Sequence, residues 1–227
     1  SNMFNSCCTL TNCWYVGDLA NWETGNVTDM SYMFAGAGLK NEVFSLDLSS
    51  WDVSSVIYMQ NMFAECGYDA LEWTVGDLEA WNPCNVVNMS YMFGFAGYNS
   101  STSTLIGDLG GWDVGNVTDM SFMFYGCDAP NDGNPDTIDI DISKWDVSNV
   151  TTFDHMFAHS YLTIGDISKW DTSSATNMNA MFYSVQNKTL NVSSFNTSKV
   201  LSFGQMFESS AIEKIIGLEN FDTTSVL

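Results

Sequence analysis

Aspartates recur in this sequence where they could gather cations. Inside the strings "VGDL", "SLDL", "IGDL", "IDIDI" and "IGDI" stand Asp18, Asp47, Asp77, Asp108, Asp141 and Asp166, followed in the same phase by Asn191 and Gly217. If they project from one face of stacked strands, neighbours lie ~4.8 Å apart. Each such pair then repels by about 0.9 kcal/mol in water before screening. Bound Ca²⁺ would relieve that repulsion, because it accepts carboxylate and carbonyl oxygens in loose geometry. The competing expectation is that each Asp hydrogen-bonds nearby backbone or keeps an acidic surface solvated. A second acidic column, Glu23, Asp52, Asp113, Asp146, Asp171 and Asp222, follows an aromatic residue and precedes Ser or Thr in several copies, which points to Asx-turns at a corner.

Other groups with chemical potential are sparse. The insertion "CDAPNDGNPDTIDID" brings Asp128, Asp132 and Asp136 near Asp139 and Asp141, but its spacing fails the EF-hand pattern and leaves a weak cation loop. His155 and His159 would share a face at i and i+4 on a helix, without a third ligand of matching type, so solvent-facing positions are expected. Cys7, Cys66 and Cys127 each follow a Met-Phe pair by three residues, in alternate repeats ~9–10 Å apart, too far for a disulfide. Cys8 and Cys13 are near enough in sequence to pair, and spacing alone leaves their state open. The sequons at Asn26, Asn99, Asn116 and Asn149 are glycosylation candidates for a eukaryotic secretory host, and Asn99 sits in an insertion. No nucleophile elbow, phosphate loop or nucleophile beside a histidine breaks the pattern, so no enzyme is expected.

The elements that position these residues come from a repeat. Trp22, Trp51, Trp81, Trp112, Trp145, Trp170, Phe195 and Phe221 are separated by 29, 30, 31, 33, 25, 25 and 26 residues. Insertions fall after the Met-Phe pair, while the block "WDVSSVIYMQNMF" keeps its length, as packed turns and tolerant loops do in a stacked array. In "VFSLDLSSWDV", residues Val43, Leu46, Leu48, Trp51 and Val53 follow the leucine-rich-repeat template with Trp at the usual Asn. Leu46 and Leu48 should point inward from a short strand and Asp47 outward. Val56, Met59, Met62 and Phe63 lie at i, i+3, i+6 and i+7, a spacing that predicts a short helix. The expected fold is an α/β solenoid of ~25-residue turns, with a parallel sheet on one face and short helices on the other, on the order of 35–40 Å long. Residues 1–227 would form one such solenoid of seven full and two partial repeats. "SNMF" and "FDTTSVL" read as the tail and the head of a unit, which suggests an excerpt of a longer array.

Charge narrows the partners. The 227 residues carry 27 acidic and 6 basic side chains, all six of them Lys, for a net charge of −21. Nucleic acid, anionic membranes and polyphosphate ligands are disfavoured by that balance. No apolar run is long enough to span a bilayer, so no membrane insertion of this segment is expected.

The strings "WDVSNVTTFDHMF", "WDVGNVTDMSFMF" and "WDTSSATNMNAMF" resemble the BspA-like leucine-rich-repeat family, the DUF285 repeat of bacterial and mycoplasma surface lipoproteins. The resemblance covers the whole chain. It implies a solenoid at the cell surface or outside the cell, acting in adhesion or in binding host and matrix components. The array departs from the family's usual run in its variable insertions and in "VGDL" or "IGDI", where Gly stands for an inward apolar residue. The expected function is a non-enzymatic extracellular structural or adhesive module that presents an acidic strand face and insertion loops to a protein or carbohydrate at the cell surface. The alternative is a calcium-organised module in which Ca²⁺ joins copies of the chain into a coat, fibril or lattice. No cofactor is required by either.

Overall fold

A computed structural model of the chain describes residues 2–7, 16–100, 106–127 and 138–226, and the side chains of all of these except 138 and 139. The thirteen-residue block sets its architecture. Val56, Met59, Met62 and Phe63 are all completely buried, as their spacing demands. The backbone that buries them is nevertheless not helical. The N–H groups of Met59, Asn61, Phe63 and Glu65 leave their own repeat and donate to the carbonyls of Asn88, Ser90, Met92 and Gly94 at 3.1, 2.9, 2.9 and 2.8 Å. The intervening Met62, Ala64 and Cys66 donate back three residues, to Met59, Asn61 and Phe63. Asn61 and Glu65 hold φ of 56° and 57° at the third position of these turns, as a type II turn requires.

Alternate donation of this kind recurs in the described Met-Phe runs that another run follows. Met120, Phe122, Phe124 and Gly126 donate to Thr152, Asp154, Met156 and Ala158, and Met178, Ala180, Phe182 and Ser184 donate to Ser202, Gly204, Met206 and Glu208. A ladder of parallel bridges marks the register from Asp29 through Tyr58, Asn88, Asp119, Thr152 and Asn177 to Ser202. The short helices expected on this face are therefore replaced by turns. Among the described residues, helical geometry is confined to single 3-10 turns at Leu109–Gly111 and Leu218–Asn220. The physical reason is competition for donors: an N–H that bonds the next repeat cannot also close the i−4 bond of a helix.

Among the described residues, the opposite run of six repeats supplies short strands: β1 (Val43–Ser45), β2 (Glu72–Thr74), β3 (Ile138–Asp139), β4 (Leu162–Thr163), β5 (Thr189–Asn191) and β6 (Lys214–Ile216). Among the described residues they pair in parallel as β1–β2, β3–β4 and β5–β6. Phe44 lies opposite Trp73, and Leu190 opposite Ile215, so each pair sets apolar side chains side by side. Leu46 and Leu48 lie just past β1, buried, with Asp47 exposed between them. Where the sequence reads Val-Gly-Asp or Ile-Gly-Asp, the residue before the glycine takes the inward place: Val75, Ile106 and Ile164 are buried. Gly76 and Gly107 then turn the corner with φ of 84° and 83°, a conformation costly for side chains with a Cβ.

Like packs on like between the two runs. Phe4, Phe34, Phe63, Phe93, Phe124, Phe157, Phe182 and Phe207 form a column of near-parallel rings with centroids 5.2 to 5.9 Å apart. Beside it, Trp22 stacks on Trp51, Trp81 on Trp112 and Trp112 on Trp145. The buried indole N–H groups of this column also reach back one repeat. Trp51, Trp81, Trp112, Trp145 and Trp170 donate to the carbonyls of Leu19, Leu48, Leu78, Leu109 and Ile142 at 2.8 to 3.1 Å. The Leu78 carbonyl also accepts the backbone N–H of Trp81, so one oxygen closes a corner and ties it to the next repeat.

This arrangement separates the ring's two contributions. Trp112→Ala, which empties a stacked and fully packed site, is expected to cost about 3–5 kcal/mol. Trp112→Phe keeps an aromatic ring, as Phe195 and Phe221 do in the same column, and is expected to cost about 1–3 kcal/mol. Urea midpoints of the two variants against the wild type check the order.

Candidate functional site

The six aspartates of the first column are all exposed, and each is spent first on its own corner. Oδ1 accepts the backbone N–H two residues on: Ala20 for Asp18, Ser49 for Asp47, Glu79 for Asp77, Gly110 for Asp108, Ser143 for Asp141 and Ser168 for Asp166, at 2.8 to 3.1 Å. Asn191 makes the same turn with Ser193. These are Asx-turns, which let a short polar side chain stand in for a backbone acceptor. The Ser49 hydroxyl adds a second bond to Asp47 at 2.6 Å. The register of the repeats places the six in one column, and Asp141 raises the proton affinity of Asp166 as a like charge does.

The second column is built in the same way. Asp52, Asp113, Asp146, Asp171 and Asp222 accept the N–H of Ser54, Gly115, Ser148, Ser173 and Thr224, as expected for that corner. A third column follows at the bridge residues, where Asp29, Asn88, Asp119 and Asn177 accept from Ser31, Ser90, Ser121 and Asn179. The sequence reading missed this third set, although "TDMS" and "VNMS" carry the same acid-or-amide and Ser spacing as the other two. Among the described residues, no group of three or more His, Cys, Asp or Glu side chains converges as metal ligands would. The loop candidates Asp128, Asp132 and Asp136, and the pair Cys8 and Cys13, lie outside the described residues; so does the side chain of Asp139.

The remaining candidates are distributed rather than gathered. His155 and His159 sit in left-handed conformations, φ 54° and 58°, instead of on a helix face. His155 stacks on Phe122 with centroids 4.7 Å apart and meets Asp154 Oδ1 through Nδ1 at 2.8 Å. Burial, followed by the nearness of His155, holds the His159 imidazole below the ordinary histidine range. Asn26 is exposed, whereas Asn99 is half-buried and donates from Nδ2 to Asp69 at 2.6 Å. Asn116 and Asn149 are exposed, but their Nδ2 groups donate to the carbonyls of Cys84 and Gly115 one repeat back. Cys66 and Cys127 are buried and Cys7 half-buried, and burial pushes the Cys66 thiol well up.

A surface feature that the sequence reading did not single out lies along the turns. Tyr68, Tyr91, Phe95, Tyr98, Phe122 and Tyr125 touch one another ring to ring across three repeats, all half-buried. The signal was present as aromatic letters between and just after the buried Met and Phe positions. Only the turn geometry shows that they meet.

The electrostatic balance of the Asx-turns has a measurable sign. Hydroxyl and then backbone N–H bonds from the residue two positions on hold Asp47, Asp52, Asp141, Asp146 and Asp222 below the ordinary value of 3.8, and the same two bonds in reverse order do so for Asp166. A carboxyl whose folded pKa is depressed stabilises the fold above its unfolded pKa and loses that contribution as pH falls through the folded value. At a few tenths molar salt, the melting temperature of the wild type relative to Asp47→Asn/Asp141→Asn is therefore expected to decline steadily as pH is lowered below 3.8. A relative rise over that range would mean that repulsion along the column outweighs the turn bonds.

Comparison with known proteins adds one match. No curated protein and no solved structure is matched by the chain. The family described as "Mycoplasma protein of unknown function, DUF285" matches residues 1–136 and again residues 131–227. With every position inside one of these two stretches, and with one turn-and-bridge pattern running through both, the chain belongs to the DUF285 family.

Proposed function

We propose that the chain is a leucine-rich-repeat-like solenoid of the BspA-like kind, serving as a non-enzymatic extracellular structural or adhesive module. The observation that carries this reading is the evenness of the polar chemistry. The same Asx-turns close the same corners in repeat after repeat, with carboxylates dispersed along the stack rather than drawn together around one reacting centre. A catalytic site needs an acid, base or nucleophile assembled at one place. A long surface of repeated exposed charge suits a binding partner of opposite sign or a carbohydrate.

Solid-phase binding to a panel of extracellular matrix proteins and glycans tests the reading. The discriminating variant is Asp47→Asn/Asp77→Asn/Asp108→Asn, which removes three charges and keeps a turn acceptor, as Asn191 does. Retention by the wild type that falls in the variant is the expected result and assigns the partner to the acidic face. No retention on any surface would remove adhesion as the function.

The calcium-organised reading draws on one local arrangement. Asp77 and Glu79 share an open recess of about 320 Å³ with Ser49 of the preceding repeat. If cations organise the stack, unfolding in millimolar Ca²⁺ should occur at a higher temperature than in excess EDTA or in Mg²⁺ at equal ionic strength. Coincident curves in the two divalent ions would reduce their effect to screening.

A further inference from the structure

The aromatic stripe along the turns is not accounted for by the core or by the acidic columns. Its rings stand half-buried on the surface and meet at mixed angles: Phe95 lies edge to face with Tyr125 at 4.9 Å and 89° and with Tyr98 at 5.2 Å and 77°, while Tyr91 and Phe122 are inclined by 31° and Tyr68 and Tyr98 by 23°. Tyr91 joins Phe122 at 5.5 Å, and Tyr68 joins Tyr98 at 5.0 Å. Gly126 deepens the corner, since a Cβ there would lie 2.6 Å from the Phe95 ring.

The rings also occupy positions that do not favour them. Tyr91, Phe95 and Phe122 hold φ of 59°, 56° and 56°. Gly36 and Gly126 fill the place of Phe95 in other repeats, at φ of 63° and 61°, and Asn61 fills the place of Tyr91 and Phe122. A left-handed conformation costs a residue with a Cβ roughly 1–2 kcal/mol. Bulky rings at three such positions, brought into mutual contact, point to use rather than to local preference.

We propose that this stripe is a docking surface for cationic side chains, arginine or lysine, of a basic protein segment. Each half-buried ring still offers part of its face to a cation, and rings turned in several directions do not form the coplanar platform on which a sugar ring lies flat. Charge complementarity selects the same occupant. Glu65 and Asp69 lie close enough to the Tyr68 and Tyr91 phenols to act on them electrostatically, and the chain as a whole carries −21. The stripe borders the third Asx column, whose Ser90 and Ser121 immediately precede Tyr91 and Phe122, and shares no residue with the Asp47, Asp77 and Asp108 column; the proposal rests on the reading of the chain as a binding module while adding a second surface to it.

The test is calorimetric titration with a blocked peptide of alternating Arg and Gly at physiological salt. Wild type is compared with Phe95→Gly/Tyr125→Ala, both changes to residues that other repeats carry at those places: Gly36 and Gly126 for the first, Ala35, Ala64 and Ala158 for the second. Net charge is unchanged, so diffuse attraction to an acidic protein is held constant. The stripe predicts a Kd at least about tenfold weaker in the variant, with the aromatic ring resonances of the wild type shifting on titration. Phe122→Asn, matched by Asn61, gives an independent variant and is expected to weaken binding in the same direction. Equal affinity in the stripe variants and the wild type, or no binding by the wild type, overturns the proposal. Binding that survives in the stripe variants but is lost in Asp47→Asn/Asp77→Asn/Asp108→Asn also overturns it, while leaving the acidic-face reading intact.

Discussion

Every second N–H along the Met-Phe run of a repeat is committed to the carbonyls of the next repeat, and the rest of the structure follows from that commitment. With the remaining N–H groups closing turns three residues back, this segment satisfies its donors only when a neighbour lies in register. A single repeat would leave those donors exposed and its Met, Phe and Trp side chains without partners. Stacking satisfies both needs together. It also explains why the thirteen-residue block keeps its length while insertions collect elsewhere, since one added residue would shift every donor past its acceptor and turn the buried side chains outward.

The same constraint decided what could be read from sequence. The buried set was legible, because Trp51, Val56, Met59, Met62 and Phe63 recur in phase and all are buried. The corners were legible too, because Asp-x-Ser carries its own hydrogen-bonding logic. The conformation between them was not. A chain that buries residues at i, i+3, i+6 and i+7 satisfies a helical template, yet a run of alternating turns buries the same residues while sending every second N–H outward. Positive φ distinguishes the two, and its usual markers were only partly present: Gly36, Gly126 and Asn61 fit, but Tyr91, Phe95, Phe122 and His155 occupy equivalent places. His155 and His159 were misplaced on a common helix face for that reason. The glycines of "VGDL" misled in the opposite sense, since Gly76 and Gly107 do not vacate an inward position but pass it to Val75 and Ile106.

The Asp columns show how one residue can serve architecture and still stand exposed. At Asp47 a single oxygen accepts both the amide and the hydroxyl of Ser49, so a cation seeking that oxygen would have to displace two bonds that close the corner. The turn leaves the other oxygen of this exposed side chain for any ligand. Contacts of that kind are weak singly and gain strength by repetition along a rigid spacing. At Asp47, Asp141 and Asp166 the turn bonds favour the ionised form, which at Asp166 the neighbouring Asp141 opposes. Repetition thus gives the acidic surface a specificity of spacing rather than of pocket shape. A partner able to read it must itself present charges or hydroxyls at several points along the stack, and a compact ligand engaging one repeat would gain little.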